Sequence, residues 1–231
     1  ESIKMSKNSY MEKIGKKAKL ASLNLSSLTI DKKNSVLKQF NQYLKANERS
    51  ILNANKKDIF NAKSKKIIGS MVDRLKLNSE KIAQIRNSID KIVKFKDPVG
   101  KTLSSWKRPN GLIIKRVSIP IGVIGTIYES RPNVTSDVSS LCFKSGNVVI
   151  LRGGSEAFHS NKILAKLFRK ALKKKKCDEN CVQFVENKDR DHVDYLLSNM
   201  KNYIDLIIPR GGKALVKKVL KKASVSIIGH Y

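Results

Sequence analysis

Apolar residues in the first hundred positions recur at helical spacing. Ile14, Ala18 and Ala21 share one face, Val36, Leu37, Phe40 and Leu44 a second, and Ile51, Leu52 and Ile59 a third. Ile82, Ile85, Ile89, Ile92 and Val93 form the clearest stripe, with Ser79 placed to cap its start. From Lys107 the pattern shortens into β-like runs: Leu112 to Val117, Ile121 to Tyr128, Val148 to Leu151, Val182 to Val185, Leu206 to Ile208 and Val225 to Ile228. Pro120 interrupts the first two runs, where a strand ladder could not continue. Helical stretches from Val134 to Phe143, Ser160 to Lys174, Asp191 to Ser198 and Lys213 to Lys222 separate the later runs. The pattern predicts a helical segment over residues 1–106, packed on an α/β domain over residues 107–231.

Regular alternation of strand and helix predicts an open, doubly wound, mostly parallel sheet, because parallel neighbours need helical crossovers. Ligands of such sheets gather beyond the carboxyl ends of the strands. Three segments fall there: "ESRPNVT" after Tyr128, "RGGSE" after Leu151 and "PRGGK" after Ile208. Two of them set Arg beside paired Gly just ahead of a helix. Glycine lets backbone approach an anion, and helix starts offer N–H donors. Arg152 and Arg210 are therefore expected to share one phosphate cradle. Asn133 is either an N-cap or a donor to a developing oxyanion. Glu129 and Arg131 either pair with each other or, for Arg131, face an acidic substrate. Neither a GxGxxG fingerprint nor a GxxxxGK[ST] loop occurs, which disfavours an ordinary Rossmann dehydrogenase and a P-loop ATPase.

The formal net charge of +29 raises nucleic acid as a partner. Only ten of the 48 basic residues are Arg, and the 6% aromatic residues do not alternate with basic ones, so a Lys-rich solvated surface is the simpler reading. No apolar run is long enough to span a membrane, and a soluble cytoplasmic protein is expected. Cys142, Cys177 and Cys181 fit a reducing compartment, and their spacing does not complete a metal site. Cys142 lies inside an apolar helical stretch and reads as a buried small hydrophobe rather than a nucleophile.

The continuous string "IPIGVIGTIYESRPNVTSDVSSLCFKSGNVVILRGGSEAFHSN" at 119–161 resembles the gamma-glutamyl phosphate reductases of the aldehyde dehydrogenase superfamily. "MVDRL" at 71–75, "DPVG" at 97–100, "WKRPNGL" at 106–112 and "DLIIPRGGKAL" at 205–215 extend the likeness in the same order. The resemblance implies an aldehyde-dehydrogenase-like fold with a nucleotide-binding domain, a catalytic domain and an oligomerising hairpin. It implies NADPH-dependent reduction of L-glutamate 5-phosphate to L-glutamate 5-semialdehyde and phosphate, in proline biosynthesis. There a cysteine thiolate attacks the acyl phosphate and hydride reduces the resulting thioester. By position, Tyr128, Glu129 and Ser130 would line the cofactor, Arg152, Gly153, Gly154, Ser155 and Glu156 would meet the adenosine ribose and its 2′-phosphate, and Arg210, Gly211 and Gly212 would lie by the pyrophosphate. Arg131 and Asn133 would face substrate, with Asn133 the oxyanion donor. A homo-oligomer, with glutamate 5-kinase as pathway partner, is implied as well.

In this family the "IIGH" type of segment, here 227–230, is followed within a few residues by a Gly-rich turn and the catalytic Cys-His, whereas this chain begins at Glu1 and ends at Tyr231. The expectation is an N-terminal fragment without its catalytic domain and without activity of its own. Two other readings stand beside it: a basic nucleic-acid-binding module, and an aldehyde dehydrogenase relative with a different acyl substrate.

Overall fold

The structure, a computed structural model, describes residues 2–65, 69–187 and 189–229, with backbone alone for residues 2–8 and Arg190. Five helices come first: α1 (Ser2–Leu25), α2 (Ile30–Ala46), α3 (Glu48–Ser64), α4 (Gly69–Leu75) and α5 (Ser79–Lys94). The stripes expected on α1, α2 and α5 lie on their buried faces, and Val36, Leu37, Phe40 and Leu44 lose all exposure to solvent, whereas α3 buries Ile51, Asn55, Asp58 and Ala62 and leaves Leu52 and Ile59 only partly covered. The cap of α5 sits one residue earlier than expected. Asn78 holds extended backbone and accepts from Lys81 N, so Ser79 is already the first helical residue.

A two-stranded antiparallel ribbon follows, β1 (Thr102–Lys107) with β2 (Ile113–Val117). The first of these strands lay within the segment expected to be helical, and the ribbon spans the boundary drawn at residue 107. Strand β3 (Val123–Tyr128) then opens the main sheet. The chain continues through α6 (Pro132–Lys144), β4 (Val148–Gly153), α7 (Phe158–Lys174), β5 (Val182–Phe184), α8 (Arg190–Ser198), β6 (Leu206–Arg210), α9 (Lys213–Lys222) and β7 (Ser226–Ile227).

The five strands lie in the order β5-β4-β3-β6-β7, and every neighbouring pair is parallel. The chain winds outward from β3 to β5 and then returns to the other side of β3. The doubly wound expectation holds, and the switch point lies between β3 and β6. All six residues of β3 and all six of β4 are buried, as a sheet covered on both faces requires. Helices α6 and α7 pack together, with α2 behind both, α5 against α6 and α3 against α7; α1 packs against β3, β4, β5 and α8. One continuous core joins the stripes of α1, α2 and α5 to the sheet.

Polar groups buried in that core fix the outer helices to it. Asp58 on α3 is 1% exposed and caps the start of α7: its carboxylate accepts from His159 N at 3.0 Å, and from Ser160 N and Ser160 Oγ, both at 2.7 Å. Helix α7 has no capping bond from its own N-cap residue, Ala157, so this carboxylate also meets the positive end of the helix dipole. Asn55, one turn earlier, donates to Leu75 O and accepts from Leu77 N, both at 2.8 Å. The segment after α4 is thereby tied to the same point. Among the described residues no helix is long and apolar enough to cross a membrane.

Candidate functional site at the sheet switch point

At the switch point, β3 ends in Tyr128-Glu129-Ser130 and β6 in Arg210-Gly211-Gly212. Helix α9 starts there without a capping bond from its own N-cap, Gly212. The bond comes from across the crevice, where Gly212 N donates to Glu129 Oε2 at 3.1 Å. Glu129 therefore binds the helix start rather than pairing with Arg131, whose side chain is exposed. A Cβ at Gly211 would stand 2.6 Å from Glu129 Oε2 and 2.7 Å from Leu215 Cδ2, so any larger residue must displace both. A backbone donor at a helix start, beside a residue with no room for a side chain, fits a phosphate group.

The second Arg-Gly-Gly turn is built differently. Ser130, held at φ 41°, donates from N at 2.6 Å and from Oγ at 2.9 Å to Glu156 Oε1. This contact links the ends of β3 and β4. Gly153 faces Asn161, whose Nδ2 would lie 2.2 Å from an added Cβ, and Gly154 faces the Glu156 carboxylate at 2.1 Å. Ser155 is exposed at the head of a short 3-10 turn, Ser155–Ala157.

The register separates the two arginines. Arg152 pairs across the sheet with Ile127, whereas Arg210 pairs with Tyr128. Paired residues share a face and successive residues alternate, so the two side chains leave opposite faces of the sheet. Arg152 is 7% exposed, and its guanidinium donates to Gly153 O and, at 3.5 Å, to Asp189 O at the start of α8. Burial lowers its pKa, against the attraction of Glu156. The shared cradle expected of Arg152 and Arg210 is not formed, and the switch point itself is lined by Gly211, Gly212 and the start of α9. Tyr128 likewise turns inward. Its hydroxyl lies 2.7 Å from Thr135 Oγ1, which donates to Asn161 Oδ1 at 3.0 Å, and burial raises its pKa.

Asn133 is not a cap. Arg131 holds the N-cap position of α6, Pro132 is the first helical residue and Asn133 the second. Its Nδ2 donates to Asp137 Oδ2 at 3.1 Å, a partner one turn along that residue-by-residue reading did not single out. The spacing of four on a helix was the available signal. Burial pushes the Asp137 carboxyl up, opposed by that hydrogen bond and by Arg210. None of the three cysteines joins this group. The buried Cys142 and Cys181 thiols are both pushed up to about 12 by desolvation, and partial burial raises Cys177. His230 and Tyr231 lie outside the described residues.

A doubly wound parallel sheet with a glycine-lined helix start at its switch point defines an open α/β protein of the kind that takes ligands beyond the carboxyl ends of its strands. The aldehyde dehydrogenase family model matches residues 1–229, and the chain belongs to that family. It is 43% identical over 215 residues to the gamma-glutamyl phosphate reductase of Carboxydothermus hydrogenoformans, covering 93% of this chain and 52% of that protein. The Hydrogenobaculum protein of the same name is 46% identical over 223 residues, covering 96% and 50%. Among solved structures, the gamma-glutamyl phosphate reductase of Thermotoga maritima superposes with a TM-score of 0.90 at 40% identity, over 93% of this chain and 52% of the other. The Saccharomyces cerevisiae enzyme gives 0.88 at 31% identity, over 94% and 55%. The chain spans about half the length of the curated relatives it matches. A protein of Listeria monocytogenes described as a probable aldehyde dehydrogenase shares the fold at lower identity, with a TM-score of 0.74 and 14%.

Proposed function

We propose that the chain forms the cofactor-binding part of an NADPH-dependent reductase that converts L-glutamate 5-phosphate to L-glutamate 5-semialdehyde and phosphate, a step of proline biosynthesis. The observation that carries this reading is identity of 40% or more, sustained over more than nine-tenths of the chain, with proteins named for that activity. The switch-point geometry supports it. Gly211, Gly212 and the first turn of α9 would hold the pyrophosphate, with Glu129 moving off Gly212 N to admit it. The turn from Gly153 to Glu156 would meet the ribose, with Glu156 as acceptor for sugar hydroxyls. NADPH supplies the hydride when bound.

The chain's own residues orient and exclude. Ser130 and Glu156 keep the ends of β3 and β4 together, and Arg152 fixes the second turn to α8 from inside. Arg131 is exposed at the start of α6 and would meet the anionic substrate. Asn133 would offer the amide hydrogen that Asp137 does not take to a developing oxyanion. The exposed apolar residues of the ribbon, Leu103, Trp106, Ile113 and Val117, would be covered in a homo-oligomer. The working compartment would be the cytoplasm, with glutamate 5-kinase supplying the acyl phosphate.

With every cysteine pKa raised, a thiolate for acyl transfer is not among the described groups. The 231-residue chain should therefore bind NADPH without turning over substrate. Titration of NADPH fluorescence should show saturable binding that Gly211→Val abolishes. Binding unaffected by that change would place the pyrophosphate elsewhere, and turnover by the chain would return Cys142 to candidacy.

A further inference from the structure

A cavity of about 280 Å³ opens beside the switch point, between α4, α5 and α6. Arg74, Lys81, Gln84, Ser88, Asn133 and Asp137 contribute its polar lining, and Leu77 and Ile85 supply apolar wall. It adjoins the sheet's carboxyl edge, because Asn133 is the second residue of the helix that follows β3.

The cations here are unequally committed. Lys76 pairs with Asp73 at 3.0 Å. Lys81 Nζ donates to Lys76 O at 2.8 Å and Asp73 O at 3.3 Å, closing the end of α4. Arg74 is exposed, and its planar fork of donors suits a carboxylate. Across the cavity, Asp137 is half-buried, and its neutral partner is the Asn133 amide. Arg210 attracts this carboxylate without forming an ion pair with it, and an ammonium group in the cavity would contact it directly.

We propose that this cavity is the subsite for the amino-acid head of the substrate, with Asp137 receiving the α-ammonium and Arg74 the α-carboxylate. The placement rests on the reductase reading for its location and points the acyl end of the ligand toward the sheet edge. The site selects α-amino acids over plain dicarboxylates, because discarding the ammonium leaves the half-buried Asp137 with the Asn133 amide and no cation in contact among the described residues.

The test is an NMR titration of the ¹⁵N-labelled chain with L-glutamate, glutarate and 4-aminobutyrate, followed at amides of α4 and α6. L-glutamate should bind about tenfold more tightly than either analogue, the worth of one charge-assisted contact. Asp137→Asn should erase the preference over glutarate, and Arg74→Gln the preference over 4-aminobutyrate. The exposed Arg74 change decides the matter if Asp137→Asn disturbs folding. Absence of saturable shifts, equal affinity for L-glutamate and glutarate, or preferences that survive both substitutions would overturn the proposal. NADPH titrated into the same samples separates the two readings. Glutamate binding without NADPH binding sinks the cofactor assignment and leaves the subsite standing, and the reverse sinks the subsite.

Discussion

Removing the Asp58 carboxylate should be among the most destabilising single changes in the N-terminal helices. Three donors converge on it, and two of them, Ser160 N and Ser160 Oγ, belong to a residue with no exposure to solvent. Hydrogen bonds to a charged group contribute about 1.5–3 kcal/mol each, less when they share an acceptor, and a stranded N–H adds its own desolvation cost. Asp58→Ala should therefore cost about 4 kcal/mol, whereas Asp58→Asn, which keeps one carbonyl acceptor, should cost about half that. For a chain of this length, 4 kcal/mol corresponds to a fall of about 8–16 °C in Tm. Urea denaturation followed by circular dichroism gives the free energies, and amide exchange reports whether His159 and Ser160 open first. A loss under about 1 kcal/mol for Asp58→Ala would show that water replaces the carboxylate and that the helix start is not dry.

Gly122 sits at φ +125°, and an added Cβ would lie 2.2 Å from Asp205 Oδ2, the acceptor for Val123 N. Gly122→Ala should cost about 2–3 kcal/mol in the same assay, and an unchanged Tm would refute the strain. Burial pushes the Cys142 thiol from 9.0 up to about 12. A folded-state pKa above the unfolded one favours the protonated native chain, so its contribution is whole below about pH 9 and is lost as pH rises toward 12. The stability advantage of the natural chain over Cys142→Ala should shrink by about 2 kcal/mol between about pH 8 and 10.5, and a constant difference would mean that the thiol is not desolvated.

Periodicity exposed what it could reach. The stripes of α2 and α5 and the buried strands β3 and β4 were legible because burial on a regular element leaves a regular pattern. Strand β1 was not, since all six of its residues, Thr102 to Lys107, are exposed and leave no alternation of buried and solvated positions. The cap at Asn78 and Ser79 was ambiguous because both side chains can accept from a helix start. The arginine turns misled for a deeper reason. Their local strings are alike, but strands β4 and β6 meet β3 one residue out of step, and that offset is a property of the pairing rather than of either string. Asp58 was not legible because its partners, His159 and Ser160, come from another helix, whereas Asp137 had a signal in its spacing of four from Asn133 but none for its burial.

The packing of α1 has a consequence for the newborn chain. Its apolar side, Met11, Ile14, Ala18 and Ala21, rests on β4, β5 and α8, which are made more than a hundred residues later. At roughly 5–20 residues per second, that side stays unpartnered on the ribosome for on the order of ten seconds. Factors that shield nascent apolar helices should therefore govern the yield of this protein, and substitutions along that side should lower yield during synthesis by more than equilibrium melting suggests.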